Sequence, residues 1–254
     1  MPRKALIIAY HRVKDETDAH LRPTKVADFE RQMRYLAKAY HPVHLEAVAQ
    51  YIRNGTPLPA RAIAVTFDDG YRDNYENAYP VLKEYGIPAT VFVATEFIGT
   101  GKIPAWDRGR YRGETALMLS WKQVREMSDG GVSFGSHTLT HPFLARIPRE
   151  QVEREIRLSK DIIEQLTGKP VTALAYPSGD FNSEIKGIVR EAGYATAVST
   201  KPGYNTPHGD VYALKRNVIQ LQSVCHRAFP LSYRAEVTGM VGHVRNAYYR
   251  IRGW

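Results

Sequence analysis

The chain has 254 residues, 43% hydrophobic and 24% charged, values ordinary for a globular protein long enough to bury a sizeable core. Its single cysteine, Cys225, excludes an intramolecular disulfide framework and a multi-cysteine metal site, and no apolar run approaches the roughly 18 residues of a membrane span. The formal charge of +9 suits an anionic partner, but no nucleic-acid motif accompanies it, so nucleic acid is not an expected partner.

In chain order, apolar runs alternate with helical stripes. Ala5 to Tyr10 predicts a strand, and the run is too short for a signal-peptide core, which sets the expectation of a cytoplasmic protein. Val26 to Ala39 repeats Phe29, Met33, Leu36 and Ala37 at helical spacing, and Leu45 to Ile52 predicts a second helix. Gly55, Pro57 and Pro59 break the chain before a strand over Ala62 to Phe67. A helix over Asn74 to Tyr85 and a strand over Ala89 to Ala94 follow. Helices over Ser120–Met127, Arg149–Leu166 and Ser183–Ala192 then alternate with strands over Val132–Gly135, Thr172–Tyr176 and Ala195–Ser199, and a last strand covers Arg216 to Gln220.

Strands separated by helices argue for parallel βαβ units. About seven units predict an α/β fold, a distorted and nearly closed (β/α) barrel, over residues 1–230. The remaining segment, 231–254, predicts a basic amphipathic helix whose stripe is Tyr233, Val237, Met240, Val241, Val244, Tyr248 and Ile251. Two readings stay open for it: packing on the barrel, or peripheral contact with an anionic membrane surface. Oligomeric state is not readable.

Barrels of this kind carry their catalytic groups where strands end. The strand at Ala62–Phe67 runs into two adjacent acids, Asp68 and Asp69, then Gly70; His11 follows the first strand, His137 another, and Pro177 and Ser178 a third. Solvated surface acids are the plain alternative for the pair. His137 and His141 are four apart, a spacing that on a helical turn puts both imidazoles on one face, as when two histidines bind one metal. With a carboxylate they form a two-His, one-carboxylate set. Such donors suit zinc or a neighbouring transition metal and leave a position open. A non-haem iron oxygenase shares this set, but it leaves Asp68 without a role; in a hydrolase Asp68 serves as general base.

Thr66-Phe67-Asp68-Asp69-Gly70 with His137-Thr138-x-x-His141 resembles the polysaccharide deacetylases, carbohydrate esterase family four, from about Tyr10 to Asn217. The resemblance implies that Asp68 is the base, while Asp69, His137 and His141 hold Zn2+ or a similar ion such as Co2+ or Ni2+. The family's Arg-x-Pro-Tyr motif reads Ala175-Tyr176-Pro177-Ser178 here, so the arginine is missing and Ser178 supplies the oxyanion N–H. Arg216 is the candidate replacement for that arginine. Tyr10-His11-Arg12-Val13 resembles the N-terminal histidine segment of the poly-N-acetylglucosamine deacetylase branch, which makes His11 the candidate general acid. The implied activity is N-deacetylation of an N-acetylated glycan or lipid-linked sugar. A hydrolase of a non-sugar amide, or a binding module without catalysis, are the other classes open. Tyr71, Trp106, Tyr111 and Tyr176 are candidate sugar-binding aromatics, with Trp106 and Tyr111 on the long Ala94–Ser120 connection; Trp121 reads as core.

Overall fold

The computed structural model describes residues 4–15, 23–107, 117–219 and 231–239. Strand β1 (Leu6–Tyr10) leads into helix α1 (Val26–Ala39), a two-residue strand β2 (His41–Pro42), α2 (Leu45–Asn54) and β3 (Ala62–Phe67). A π-helical turn, Asn74–Ala78, opens into α3 (Tyr79–Glu84) and is followed by β4 (Ala89–Val93), a 3-10 turn at Ala105–Asp107, and α4 (Trp121–Asp129). Then come β5 (Ser133–Ser136), α5 (Arg149–Thr167), β6 (Ala173–Ala175), a 3-10 turn at Pro177–Gly179, α6 (Ser183–Glu191), β7 (Thr196–Val198), β8 (Asn217–Val218) and α7 (Leu231–Val237).

The sheet runs β7-β6-β5-β4-β3-β1-β8, parallel at every pairing, with β2 added beside the start of β3. Its two edges meet through one parallel bridge, Val198 to Leu214, and the chain then passes from Leu214 into β8, which pairs with β1. The expected distorted barrel is therefore the architecture, curled round and joined at a single narrow seam.

Side chains alternate along each strand, and the alternation divides the core in two. Ala5, Ile7, Ala62, Ala64, Phe92, Ala173, Ala175 and Val198 form one cluster with Leu45, Val48 and Ile52 of α2. These mostly small residues fill the barrel's interior. The interleaved Leu6, Ile8, Tyr10, Ile63, Val65, Phe67 and Leu174 form the larger cluster between strands and outer helices.

The predicted elements match with shifts of one or two residues, except in the tail, where the helix expected over 231–254 is α7, Leu231–Val237. Within the tail, α7 ends at Val237 and Gly239 follows at φ 78°, a left-handed residue that ends a helix. Tyr233 and Val237 are buried in the barrel's outer core, where the Tyr233 hydroxyl lies 2.8 Å from that of Tyr10. The rest of the stripe, from Met240 on, lies outside the described residues. Among those described, no helix is long and apolar enough to cross a membrane.

Candidate active site

Strand alternation places the site. On β1 the inward series Ala5, Ile7 and Ala9 next reaches His11; on β3, Ala62, Ala64 and Thr66 reach Asp68. On β5 the inward Gly135, where a Cβ would stand 2.5 Å from the Phe92 ring, is followed by His137. Three strand ends thus aim a polar side chain at one mouth of the barrel.

Asp69 has the opposite parity and is re-aimed by the backbone. Its φ is 73° and that of Gly70 is 84°, so the chain turns sharply after β3. Gly70 has no room for a side chain, since a Cβ would come within 2.8 Å of Val93 Cγ1. Thr138 (φ 66°), His141 (φ 61°) and Ser178 (φ 55°) are also left-handed. Such residues cost roughly 1–3 kcal/mol each and gather where a site demands them. The His137–His141 pair is accordingly not on a helix: it spans an irregular loop, and two left-handed residues, not a helical turn, bring the rings together with centroids 4.7 Å apart.

Asp69, His137 and His141 converge. Asp69 Oδ1 lies 3.6 Å from His137 Nε2 and 3.7 Å from His141 Nε2. These separations are too long for hydrogen bonds. They are close to the roughly 3.3 Å between donors on a tetrahedral ion with bonds of about 2.0–2.1 Å. The buried His137 has Nδ1 2.8 Å from the Ala175 carbonyl oxygen. A carbonyl only accepts, so Nδ1 carries the proton and Nε2 presents its lone pair toward Asp69. Burial, and then the proximity of His137, pushes the His141 pKa down to about 3, which keeps that ring neutral. Burial, reinforced by the carboxylates of Asp68 and Asp107, pushes Asp69 well above the ordinary carboxylate range. A buried acid crowded by other acids and faced by two neutral imidazoles is a donor set that a divalent transition metal completes, so the residues fit the implied ion.

Asp68, buried beside this cluster, meets the Arg216 guanidinium in a two-pronged pair of 2.7 Å contacts. Arg216 is fully buried and also donates to Thr66 Oγ1 at 3.1 Å and to the Ser199 carbonyl at 3.0 Å. Burial alone would raise the Asp68 pKa. The Arg216 charge, helped by His137 and the hydrogen bonds from Arg216, outweighs it and holds the group well below the usual range.

His11 is exposed, its carbonyl held by Asn74 Nδ2 at 2.9 Å. Surrounding protein lowers its pKa; Asp68 opposes this and Arg216 adds to it, which places the ring in the same electrostatic neighbourhood. Ser178 sits at the end of β6, in a turn whose hydrogen bonds run from the Gly179 and Asp180 N–H groups, leaving its own N–H out of them.

The aromatic candidates divide. The half-buried Trp106 packs against the edge of this three-residue cluster, its ring 4.3 Å from that of His141. Tyr71 is buried, its hydroxyl donating to Asp107 at 2.6 Å and accepting from Trp106 Nε1 at 3.1 Å, so it braces Trp106 and offers no open face. Tyr176 corrects the sequence reading. It has outward parity on β6, is fully buried, stacks on Phe181 at 4.3 Å and donates to the Tyr212 carbonyl, so it belongs to the core and not to a sugar-binding face. Tyr111 lies outside the described residues.

Several supporting residues were not singled out from sequence. Arg12 and Asp73 form a buried 2.7 Å ion pair, and Asp73 also accepts the Val13 N–H at 3.1 Å, fixing the segment that follows His11. Asp107 backs Tyr71, and Glu155 of α5 reaches the histidine loop. Glu155 carries the one readable signal: a charged residue on the mostly apolar buried stripe of its helix.

The family model for polysaccharide deacetylase matches residues 55–197. The polysaccharide deacetylase homologue YxkH of Bacillus subtilis (strain 168) is 30% identical over 216 residues, covering 85% of this chain and 71% of that protein. A poly-beta-1,6-N-acetyl-D-glucosamine N-deacetylase of Staphylococcus aureus (strain MRSA252) is 26% identical over 204 residues, covering 76% of this chain and 66% of that protein, just under two thirds. Among solved structures, the Streptococcus pyogenes deacetylase PplD in complex with acetate superposes with a TM-score of 0.76 at 28% identity, over 87% of this chain and 94% of that one. The chain belongs to the polysaccharide deacetylase family, whose members are carbohydrate N-deacetylases, a class of hydrolase.

Proposed function

We propose that this protein hydrolyses the acetamide C–N bond of an N-acetylated amino sugar in a glycan, releasing acetate, and that it does so with a divalent transition metal, zinc foremost, held by Asp69, His137 and His141. The observation that carries the reading is the Arg216-clamped Asp68 standing beside that three-residue donor set. When bound, such an ion supplies Lewis acidity, which lets a carboxylate held as low as Asp68 take a proton from water.

The Arg216 charge favours the ionised form of Asp68, and its two-pronged contact fixes the plane of the carboxylate for that proton transfer. The Ser178 N–H, presented by a left-handed residue, donates to the carbonyl oxygen as negative charge develops on it. His11 gives a proton to the departing nitrogen as the C–N bond breaks. Trp106 forms one wall of the sugar site. The substrate class is supported by the relative named for poly-beta-1,6-N-acetyl-D-glucosamine.

The test is acetate release from a panel of acetylated glycans, lipid-linked sugars and simple amides, with and without chelator, for wild type and Asp68→Asn. We expect release from a glycan, loss with chelator, and a fall of about 10²–10⁴-fold in Asp68→Asn with zinc still bound. Turnover confined to non-sugar amides overturns the substrate; equal metal loss in Asp68→Asn overturns the division of labour between the two acids.

A further inference from the structure

The loop bearing the two histidines is gripped from outside the barrel by α5. Glu155 lies on the buried face of that helix, in a row with Val152, Ile156, Ser159 and Ile163. Its carboxylate accepts three hydrogen bonds from the loop: from the Leu139 N–H at 2.9 Å and the Thr140 N–H at 2.8 Å through Oε2, and from the Thr140 hydroxyl at 2.7 Å through Oε1. One turn further on, the Ser159 hydroxyl lies 2.6 Å from that of Ser136, whose Oγ accepts the Thr138 N–H at 3.0 Å. Helix positions four apart share a face, so of the two polar residues on this stripe Glu155 meets the loop and Ser159 meets the strand residue that leads into it.

Packing does not call for a carboxylate there. A buried acid is costly unless donors meet its charge, and an aliphatic side chain would serve the helix–sheet contact. The loop does call for it. Leu139 and Thr140 sit between two non-glycine residues held at φ 66° and φ 61°, Thr138 and His141, and such backbone persists only where its surroundings over-determine it. The Glu155 bonds fall between the two ligands, at the point where they fix both.

We infer that Glu155, with Ser159 behind it, is a positioning residue that sets the spacing of His137 and His141 and through it the affinity of the site for a divalent cation. The inference rests on the metal reading of Asp69, His137 and His141 above. Glu155 touches no substrate; it acts through Leu139 and Thr140. Loss of such an outer partner of a metal ligand costs about 10–100-fold in metal affinity or activity.

The experiment uses the full chain stripped of metal, with Zn2+ affinity measured by competition against a chromophoric chelator and Co2+ geometry read from its visible spectrum. Glu155→Ala is expected to bind Zn2+ about 10–100-fold more weakly and to change the Co2+ spectrum. Glu155→Gln, which keeps an oxygen for the two N–H groups, is expected to recover most of the affinity. Wild-type affinity in Glu155→Ala overturns the inference, and so does a lower melting temperature with affinity unchanged, which marks a purely structural role. Should Glu155→Ala not fold, Thr140→Val decides: weaker Zn2+ binding supports the inference and unchanged binding overturns it. A wild-type protein that binds no Zn2+, or Asp69→Asn binding as tightly as wild type, overturns the metal reading itself and the inference with it.

Discussion

Arg216 holds Asp68 with both prongs of its guanidinium, Nη1 to Oδ1 and Nη2 to Oδ2, each at 2.7 Å, with the arginine wholly out of solvent. Lysine is a single point charge and cannot reproduce this fork. Arg216→Lys should therefore keep the charge and lose the fixed carboxylate plane, and kcat should fall by about 10²-fold or more while KM changes little. Arg216→Ala strands a buried carboxylate, and urea titration should show a loss of about 3–5 kcal/mol. An Arg216→Lys variant with wild-type kcat would remove Arg216 from the machinery.

Metal removal should be visible without turnover. The Trp106 ring lies 4.3 Å from that of His141, so adding Zn2+ to the stripped protein should change tryptophan emission. The change should disappear in Trp106→Phe and in Asp69→Asn. A full response in Trp106→Phe would mean that another tryptophan reports the binding.

Tyr233 tests how the tail sits. It is fully buried and its hydroxyl meets that of Tyr10, which also donates to Gln32 Oε1 at 2.8 Å. Tyr233→Ala should destabilise the protein by about 3–5 kcal/mol, the usual cost of emptying a large aromatic site. A loss under about 1 kcal/mol, the scale of a surface substitution, would mean that α7 does not dock as described.

Acid should weaken one clamp on β6. Glu164 pairs with Lys160 and accepts the Val171 N–H at 2.8 Å, pinning the end of α5 to the segment leading into β6. Burial tends to raise its pKa, but the Lys160 contact and the Val171 bond outweigh that and lower it. The folded pKa is thus below the unfolded value of about 4.3, so the stabilisation is present above that value and lost as pH falls through the folded pKa. The stability gap between wild type and Glu164→Gln should be constant near neutrality and close in acid; a gap that widens in acid would reverse the sign.

The sequence by itself determined the alternation of strands and helices, because apolar periodicity records which face of each element is buried. It also carried the acids after β3 and the histidines after β5, since those motifs are local. Inward parity on β1, β3 and β5 even aims His11, Asp68 and His137 at one mouth, and on β6 it turns Tyr176 away from it. Only the tertiary structure decided the rest. Arg216 is separated from Asp68 by 148 positions and reaches it solely because the chain between Leu214 and β8 closes the barrel's seam. Asp69 and His141 point at one another through left-handed backbone that no spacing rule announces, and Glu155 meets the loop between the two histidines from a helix on the far side of the sheet. Local pattern specifies which residues are buried; long-range closure specifies which of them meet.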